Sequence, residues 1–199
     1  MKRIFSTLFV ALAFLSIPLF ASDTYSLDSA HSSIEFGIKH MVISTVKGSF
    51  SSFDVSVQYD PKEVAKSSVE VSIQTDTINT GNEKRDEHLK SPDFFDTKTY
   101  PAITFKSKRI AKKGDSYEVT GDFTMHGVTK EITFPFTVMG PIKDPWGNMR
   151  LGVEAYTTLN RQEYGVSWNK TLDTGGLVVG DDVKVEIHLE LVKAQEKAS

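Results

Sequence analysis

The sequence predicts an all-β fold of antiparallel strands, arranged either as a sandwich or as a closed barrel. Apolar and polar residues alternate with a period of two in about eight segments, as in strands that bury one face. Turn-forming Gly, Pro and Asp residues separate these segments, and helices do not alternate with them. The alternating segments are 34–38, 53–59, 69–73, 103–105, 117–119, 132–138, 151–155 and 183–191.

Charged side chains occupy the strand faces opposite the apolar ones. Glu35 and Lys39 alternate with apolar residues in the first segment, and Lys184, Glu186 and Glu190 do so in the last. A barrel embedded in an outer membrane needs the reverse, an apolar outer band around a polar lumen. The apolar faces are therefore predicted to point inward and the charged faces to meet water, without stable membrane insertion.

Residues 1–21 have the features of a cleavable signal peptide. Lys2 and Arg3 precede an apolar run that ends near Pro18 and the small residue Ala21. We therefore expect a secreted protein whose mature part, residues 22–199, forms one domain. Its core must be large enough to fold without disulfides, because the sequence contains no cysteine.

Charge argues against a nucleic-acid partner. Removal of Lys2 and Arg3 from the 23 basic residues leaves 21, against 26 acidic residues. No basic stripe is available to bind a phosphate backbone.

Residues 83–90 are predicted to form the single clear helix. Thr80 and Glu83 have the spacing of a capping box, and Pro92 ends the segment. Arg85, Asp86 and His88 could suggest catalysis, but Arg85 and His88 share one helix face whereas Asp86 does not. A solvated, salt-bridged helix is the preferred interpretation.

Aromatic and basic residues after this helix leave two roles open. Phe94 and Phe95 could pack in the core or border a cavity. Arg161, followed by Trp168, could form a surface pair or a polar anchor at a cavity mouth.

The sequence predicts neither an enzyme nor a metal site. None of the histidines has a metal-ligand spacing such as H-x-H or H-E-x-x-H. It contains no nucleophile elbow, P-loop or G-x-G-x-x-G motif. A metal or enzyme site using His31, His40, His88 or His126 remains the alternative, and so does a packed β-domain that acts through its surface.

Eight strands enclose an interior that side chains fill or that holds one small ligand. Periodicity cannot distinguish these two cases. An apolar lumen suits an elongated hydrocarbon, since each buried CH₂ contributes about 0.8 kcal/mol.

Seven motifs in order along the chain carry a family resemblance. They are "YSLDSAHSSIEFGIKH" (25–40), "VKGSF" (46–50), "RDEHLKSPDFFD" (85–96), "YPAITFKS" (100–107), "GDFTMHGVTKEI" (121–132), "RLGVEAYTTLNRQEYGV" (150–166) and "VGDDVKVEIHLEL" (179–191). Together they resemble the YceI-like family of periplasmic polyisoprenoid-binding proteins. The resemblance implies a lipocalin-like eight-stranded barrel with the short helix near its mouth. It also implies a periplasmic, non-enzymatic carrier, often a homodimer, that holds a polyisoprenoid or a similar amphiphile such as an isoprenoid quinone, fatty acid or amide. No other cofactor is expected.

The same resemblance implies a set of ligand-binding residues. It places Phe94 and Phe95 near the tunnel opening, and we assign Arg85, His88, Arg161 and Trp168 to its polar end. The residues expected to line the tunnel are Phe36, Ile38, Phe53, Val55, Val71, Phe105, Phe134 and Phe136.

Overall fold

The computed structural model describes residues 22–173 and 175–195. The predicted signal peptide, residues 1–21, lies outside this part of the chain. One α-helix, α1 (Glu83–Lys90), lies between β6 and β7 within the described residues. The strands described there are β1 (Asp23–Leu27), β2 (Ser33–His40), β3 (Ser44–Phe50), β4 (Phe53–Tyr59), β5 (Ser68–Gln74), β6 (Ile78–Asn79), β7 (Ala102–Lys113), β8 (Ser116–Met125), β9 (Val128–Lys143), β10 (Met149–Asn160) and β11 (Val179–Lys193).

Eight of these strands form a closed antiparallel barrel in the described part of the chain. Their order is β1, β4, β5, β7, β8, β9, β10 and β11, and the ring closes where Leu27 of β1 pairs with Leu191 of β11. Consecutive strands are neighbours almost throughout, so the barrel is an up-and-down meander. The predicted antiparallel barrel is confirmed, and the sandwich alternative is wrong.

The strands β2, β3 and β6 extend the barrel wall at one end. β1 and β2 both pair with β11, at Leu27–Leu191 and at Ser33–His188, so they follow one line along the same neighbour. A short 3-10 turn at Ser29–His31 interrupts this line, and the Asp28 side chain caps it by accepting a hydrogen bond from the Ala30 amide. β3 and β6 extend β4 and β5 in the same way, because β3 pairs with β6 just as β4, the next strand after β3, pairs with β5, the strand before β6.

The alternation pattern missed β1, β3 and β6. In β3, "STVKGSF", the inward-facing series includes Gly48, which has no side chain to mark the pattern. A Cβ at Gly48 would overlap the Phe36 ring of the paired strand, so glycine makes room for an inward-facing aromatic side chain. β1, β3 and β6 are therefore identified by their backbone hydrogen bonding to neighbouring strands and not by alternation of apolar and polar residues.

The helix has the predicted bounds but not the predicted cap. Asn82 is the N-cap, and its side chain accepts a hydrogen bond from the Arg85 amide at 3.0 Å. Thr80 instead donates its hydroxyl to Asp86 at 2.5 Å, so the predicted Thr80–Glu83 capping box is wrong. Asparagine and threonine both cap helices well, and the local backbone decides which one does so.

The barrel has two different ends. We call the helix end the one formed by α1, the β2–β3 turn at 41–43 and the segment 161–173. The far end contains the β9–β10 turn at 144–148 and the loop at 60–67. Toward the far end the interior is filled by a buried cluster that includes Tyr25, Val55, Tyr59, Leu151, Leu189 and Leu191.

No helix in the described residues has the length and hydropathy needed to span a membrane.

Candidate ligand-binding cavity

The inward faces of the strands become progressively less covered toward the helix end. On β11, Leu191 is 0 % exposed and Leu189 is 9 % exposed. Val185 and Val183 have the same alternating positions but are only half-buried. Since side chains on the same face of one strand differ in this way, the barrel interior changes from a packed core to open space.

This open space is a cavity of about 360 Å³ in the helix half of the barrel. Its walls are mainly Ile, Val, Leu and Phe side chains from β2, β3, β5, β7, β8, β9 and β11. Small-molecule sites are typically about 300–1,000 Å³, apolar, and carry a few polar groups. The barrel is therefore not filled by its own side chains, and the fully packed alternative does not describe its helix half.

Twelve of the fourteen residues predicted to bind a ligand lie on the cavity wall. Contact of these side chains with a ligand stays a prediction. They are Phe36, Ile38, Val55, Val71, Arg85, His88, Phe94, Phe95, Phe105, Phe134, Arg161 and Trp168.

Among the described residues, Phe53 and Phe136 are not part of the cavity wall. Phe136 lies deeper, where its ring packs 5.6 Å from the Tyr117 ring and against the buried cluster around Phe105 and Phe134. Phe53 packs against both the helix-end and far-end core clusters. Alternation identifies the inward face of a strand, but it does not give the depth of a residue along the barrel.

Three aromatic side chains border the mouth of the cavity. The His88 ring lies edge-on to Phe94 at 5.0 Å and to Trp168 at 5.1 Å, and the Phe94 and Trp168 rings are 5.2 Å apart. His88 Nε2 lies 2.8 Å from Asp93 Oδ2. Phe95 packs on Phe50 on the inner side, with the ring centroids 6.0 Å apart.

Arg85 and Asp86 share Thr80 as a partner and do not form a cluster with His88. Arg85 Nε donates to the Thr80 hydroxyl at 2.7 Å, and Arg85 Nη2 donates to the Thr80 carbonyl at 2.9 Å. The Thr80 hydroxyl in turn donates to Asp86. These contacts hold α1 against the chain that enters it.

Arg161 is buried at the mouth of the cavity, where its side chain binds backbone carbonyls of two chain segments. It is 3 % exposed, and burial lowers its pKa from the ordinary arginine value. Its guanidinium donates to the carbonyls of Val166 at 2.6 Å, Gly180 at 2.8 Å and Trp168 at 3.0 Å. These donors are committed to the backbone that positions Trp168. That Arg161 serves the polar end of a ligand stays a prediction.

Sequence reasoning missed part of the cavity wall. Val183, Val185 and Ile187 of β11 were recognised as strand residues but were not assigned to the lumen, although they line it. Lys39 and His40 at the end of β2 were also missed, and both line the mouth. Their alternation was visible, but only the barrel closure shows that β11 and β2 are neighbours there.

The five histidines do not converge in the structure. One group with metal-ligand chemistry occurs among the described residues, where ligand atoms of Asp28, His31 and Glu190 lie within 4.8 Å of one another. However, Arg150 Nη1 donates to Asp28 Oδ2 at 2.6 Å and also to Glu190, while Arg150 Nε donates to Asp144 Oδ2 at 2.7 Å. The carboxylates are thus bound by a fixed cation, which makes this group an ion-pair network.

Arg150 also determines the protonation of its partners. Its hydrogen bond is the main cause of the lowered pKa of Asp144 and of Asp28, and the three carboxylates raise the pKa of Arg150. Asp144 further accepts hydrogen bonds from the amides of Trp146 and Asn148. The network therefore fastens the β9–β10 turn to the barrel wall at the far end.

Comparison with known proteins gives a consistent result along the chain. Residues 25–191 match the YceI-like domain. A UPF0312 protein of Staphylococcus aureus (strain N315) is 43 % identical over 167 residues, which cover 83 % of this chain and 95 % of that protein. The crystal structure of BcnA from Burkholderia cenocepacia superposes with a TM-score of 0.73 at 28 % identity, covering 82 % of this chain and 98 % of BcnA.

A more distant solved structure has the same fold. It is described as a polyisoprenoid binding domain from Saccharophagus degradans implicated in plant cell wall breakdown. Its TM-score is 0.60 at 16 % identity, and the match covers 85 % of this chain and 98 % of that domain.

Proposed function

Because the chain belongs to the YceI-like family, we propose that it is a carrier that holds a long-chain amphiphile in its barrel and catalyses no reaction. The amphiphile class is a polyisoprenoid or a comparable chain, such as an isoprenoid quinone, a fatty acid or a fatty amide. The fold shared with a domain described as polyisoprenoid-binding supports this class.

The observation that carries the proposal is the apolar cavity of about 360 Å³ at the helix end. Half-buried Val183, Val185 and Phe36 face it although they have inward positions. Leaving such side chains without cover costs free energy, and an inserted hydrocarbon regains about 0.8 kcal/mol for each buried CH₂ group. A chain of isoprene units provides many such groups and few polar atoms.

The distribution of polar groups supports one orientation of the ligand. Lys39, His40, Arg85 and His88 line the mouth, whereas the deeper wall is almost entirely apolar. A tail would therefore lie inside the barrel, and a polar or charged head group would remain at the mouth, near the helix. Polar groups at the entrance then orient the ligand, while the tail supplies most of the affinity.

The signal peptide predicted at residues 1–21 supports a periplasmic location for the mature domain, residues 22–199. A carrier in that compartment would shield an insoluble chain from water. The homodimer implied by the family resemblance is part of the same proposal, and light scattering of the purified protein measures it.

The test begins with gentle purification of the protein, denaturation, and mass spectrometry of the organic extract. We expect about one amphiphile per barrel, and we expect the stripped protein to take up an added polyprenol. An extract without a stoichiometric amphiphile, together with failure to take up polyprenol, would contradict the proposal.

Two substitutions on one strand provide a matched pair for this test. Val185→Phe fills the cavity and should remove most polyprenol binding while the protein stays folded. Glu186→Ala changes the next residue, which is exposed on the outer face, and should leave binding unchanged. Equal binding by both variants would place the ligand outside the barrel.

A further inference from the structure

The turn between β2 and β3 exposes apolar side chains at the helix end. Val42 is 74 % exposed, Ile43 is 83 % exposed and Met41 is 37 % exposed. The Met41 amide donates to the Val178 carbonyl at 2.8 Å, which places Leu177, 42 % exposed, beside the turn. We call these four residues, Met41, Val42, Ile43 and Leu177, the apolar tip.

The backbone of the apolar tip is unfavourable for the residues it carries. Met41 has φ 49° and Val42 has φ 66°, both in the left-handed region. Asn and Gly are the residues that such turns favour, and a β-branched residue there is strained. Folding would be served better by small polar residues at these positions, so the exposed apolar side chains indicate a function outside the fold.

The apolar tip is continuous with the mouth of the cavity. Lys39 and His40, which precede it on β2, line the cavity, and so does Val178, which follows Leu177. A surface that covers the tip would therefore also face the opening through which a ligand passes.

The two strands that carry the β2–β3 turn hold basic but no acidic residues near it, whereas Asp181 and Asp182 of β11 lie beside the end of β2 that carries Lys39. From Phe36 to Phe53 the chain carries Lys39, His40 and Lys47 but no Asp or Glu, although acidic residues outnumber basic ones, 26 to 23, in the whole sequence. Cations beside a projecting apolar group complement a layer of anionic phosphates with hydrocarbon beneath it.

The size of the apolar tip favours a bilayer over a protein partner. Stable protein–protein interfaces bury about 1,200–2,000 Å² of total surface. A projecting turn of three residues with one neighbour is too small to supply half of that area. A lipid surface can close around a convex tip and requires no complementary shape.

We propose that the apolar tip inserts into the surface of an anionic phospholipid bilayer, with Lys39 and Lys47 at the phosphate layer and the cavity mouth facing the lipid. Its use in exchanging an amphiphile with the bilayer rests on the proposed carrier function. Docking itself depends only on the apolar tip and its cations, so it occurs with or without a ligand.

The test measures flotation with vesicles made of equal parts of phosphatidylcholine and phosphatidylglycerol. Protein that begins at Ser22 is used, because the barrel strands lie within residues 23–193 and residues 1–21 would bind lipid themselves. Cooperative thermal unfolding verifies that each preparation is folded. We expect the protein to float with these vesicles, and binding to weaken as salt is added.

The double variant Val42→Asn, Ile43→Ser removes the apolar surface and suits the left-handed turn better than the native residues. We expect it to lose about tenfold or more in vesicle affinity without losing thermal stability. The variant Lys39→Ser, Lys47→Ser should lose about fivefold for each charge removed, and this loss should vanish at high salt.

The matched control is Ile142→Ser, Trp146→Ser, which removes two apolar side chains at the far end that are 64 % and 81 % exposed. Its vesicle binding should equal that of the parent protein. Absence of parent binding, equal binding by the Val42–Ile43 variant, or loss in the far-end control would each overturn docking through the apolar tip. So would a tip-dependent dimer without vesicle binding.

Failure of docking and failure of the carrier proposal can be told apart. Uptake of polyprenol delivered in detergent is measured without vesicles, and the Val42–Ile43 variant should retain it. Retained uptake with absent flotation would reject docking alone, whereas flotation without uptake would reject the carrier function alone.

Discussion

The two halves of the barrel use the same strand pattern for different purposes. On β11 the inward series ends in Leu191, which is fully buried among Tyr25, Tyr59 and Leu151 at the far end, while Leu189 before it belongs to this cluster and also borders the cavity. The same series begins with Val183 and Val185, which face the cavity at the helix end. One half therefore stabilises the fold through packing, and the other half keeps apolar surface available.

The source of this difference lies in how each half is closed. Toward the far end the eight paired strands complete the ring, and their side chains meet across a filled interior. At the helix end the wall is extended by β2, β3 and β6. The short strand β6 ends this extension, and the neighbour on its free side is α1 and not a further strand. A wall completed by a helix and a loop leaves more space between its side chains.

The largest effect is expected from a matched pair of leucine substitutions. Leu191→Ala in the packed half should lower the free energy of unfolding by about 2–5 kcal/mol, because a cavity replaces a close-packed side chain. Leu159→Ala, which alters the cavity wall, should cost less than half as much, because that side chain already borders open space. Urea unfolding measures both, and equal losses would mean that the two halves are packed alike.

The second-largest effect on the free energy of unfolding is expected at Arg161, which binds backbone carbonyls in the open half of the barrel. Arg161→Lys should cost about 1–3 kcal/mol, because one ammonium group cannot satisfy the carbonyls of Val166, Trp168 and Gly180 together. Proteolysis between residues 166 and 173 should become faster in this variant. Arg109→Lys, which changes an exposed arginine of β7 with a 3.4 Å hydrogen bond to the Thr120 hydroxyl, is the control and should stay within about 0.5 kcal/mol. A similar loss in both variants would show that burial is not the cause.

A smaller effect of opposite sign is expected at the strained turn of the open end. Val42→Asn should raise the free energy of unfolding by about 1 kcal/mol, since asparagine tolerates the left-handed backbone that valine does not. Thr45→Asn on β3 is the control, because it introduces the same residue at a position without a left-handed backbone. It should not raise the free energy of unfolding. Destabilisation by Val42→Asn would show that the valine packs favourably in the folded state.

The last prediction concerns pH and the ion-pair network of the packed end. Asp144 and Asp28 have a lowered pKa in the folded state, so their contribution to stability is complete above the unfolded value, 3.8. It is lost as pH falls through the lower folded values, and stability should decline from about pH 5 downward. Arg150→Met should flatten this decline in acid unfolding curves, and an unchanged slope would mean that Arg150 does not govern these carboxylates.

Much of the architecture follows from local patterns in the sequence. The eight alternating segments correspond to β2, β4, β5, β7, β8, β9, β10 and β11, and the helix spans 83–90 as predicted. Period-two alternation is a property of neighbouring residues, so it is visible without knowledge of the partners of a strand. The Asn82 cap was missed because the Thr80–Glu83 spacing predicted a capping box, whereas only the folded backbone brings the Asn82 side chain to the Arg85 amide.

The sequence predicted which kinds of residue line the candidate site, but not how far along the barrel each of them lies. Phe134 and Phe136 have the same alternation on β9, yet Phe134 borders the cavity and Phe136 lies below it. Arg161 and Arg85 are both arginines near aromatic residues. Arg161 is buried and donates to three backbone carbonyls, whereas Arg85 is exposed and donates to the hydroxyl and carbonyl of Thr80. These distinctions depend on residues far away in the sequence.

The sequence by itself determined which face of each strand turns inward, where α1 begins and ends, and that the outer surface is charged. These properties arise from the alternation of side chains along an extended chain and from turn-forming residues. Only the tertiary structure decided that the interior is packed at the far end and open at the helix end. Barrel closure sets which side chains meet across the lumen, and that meeting is not encoded in any one segment.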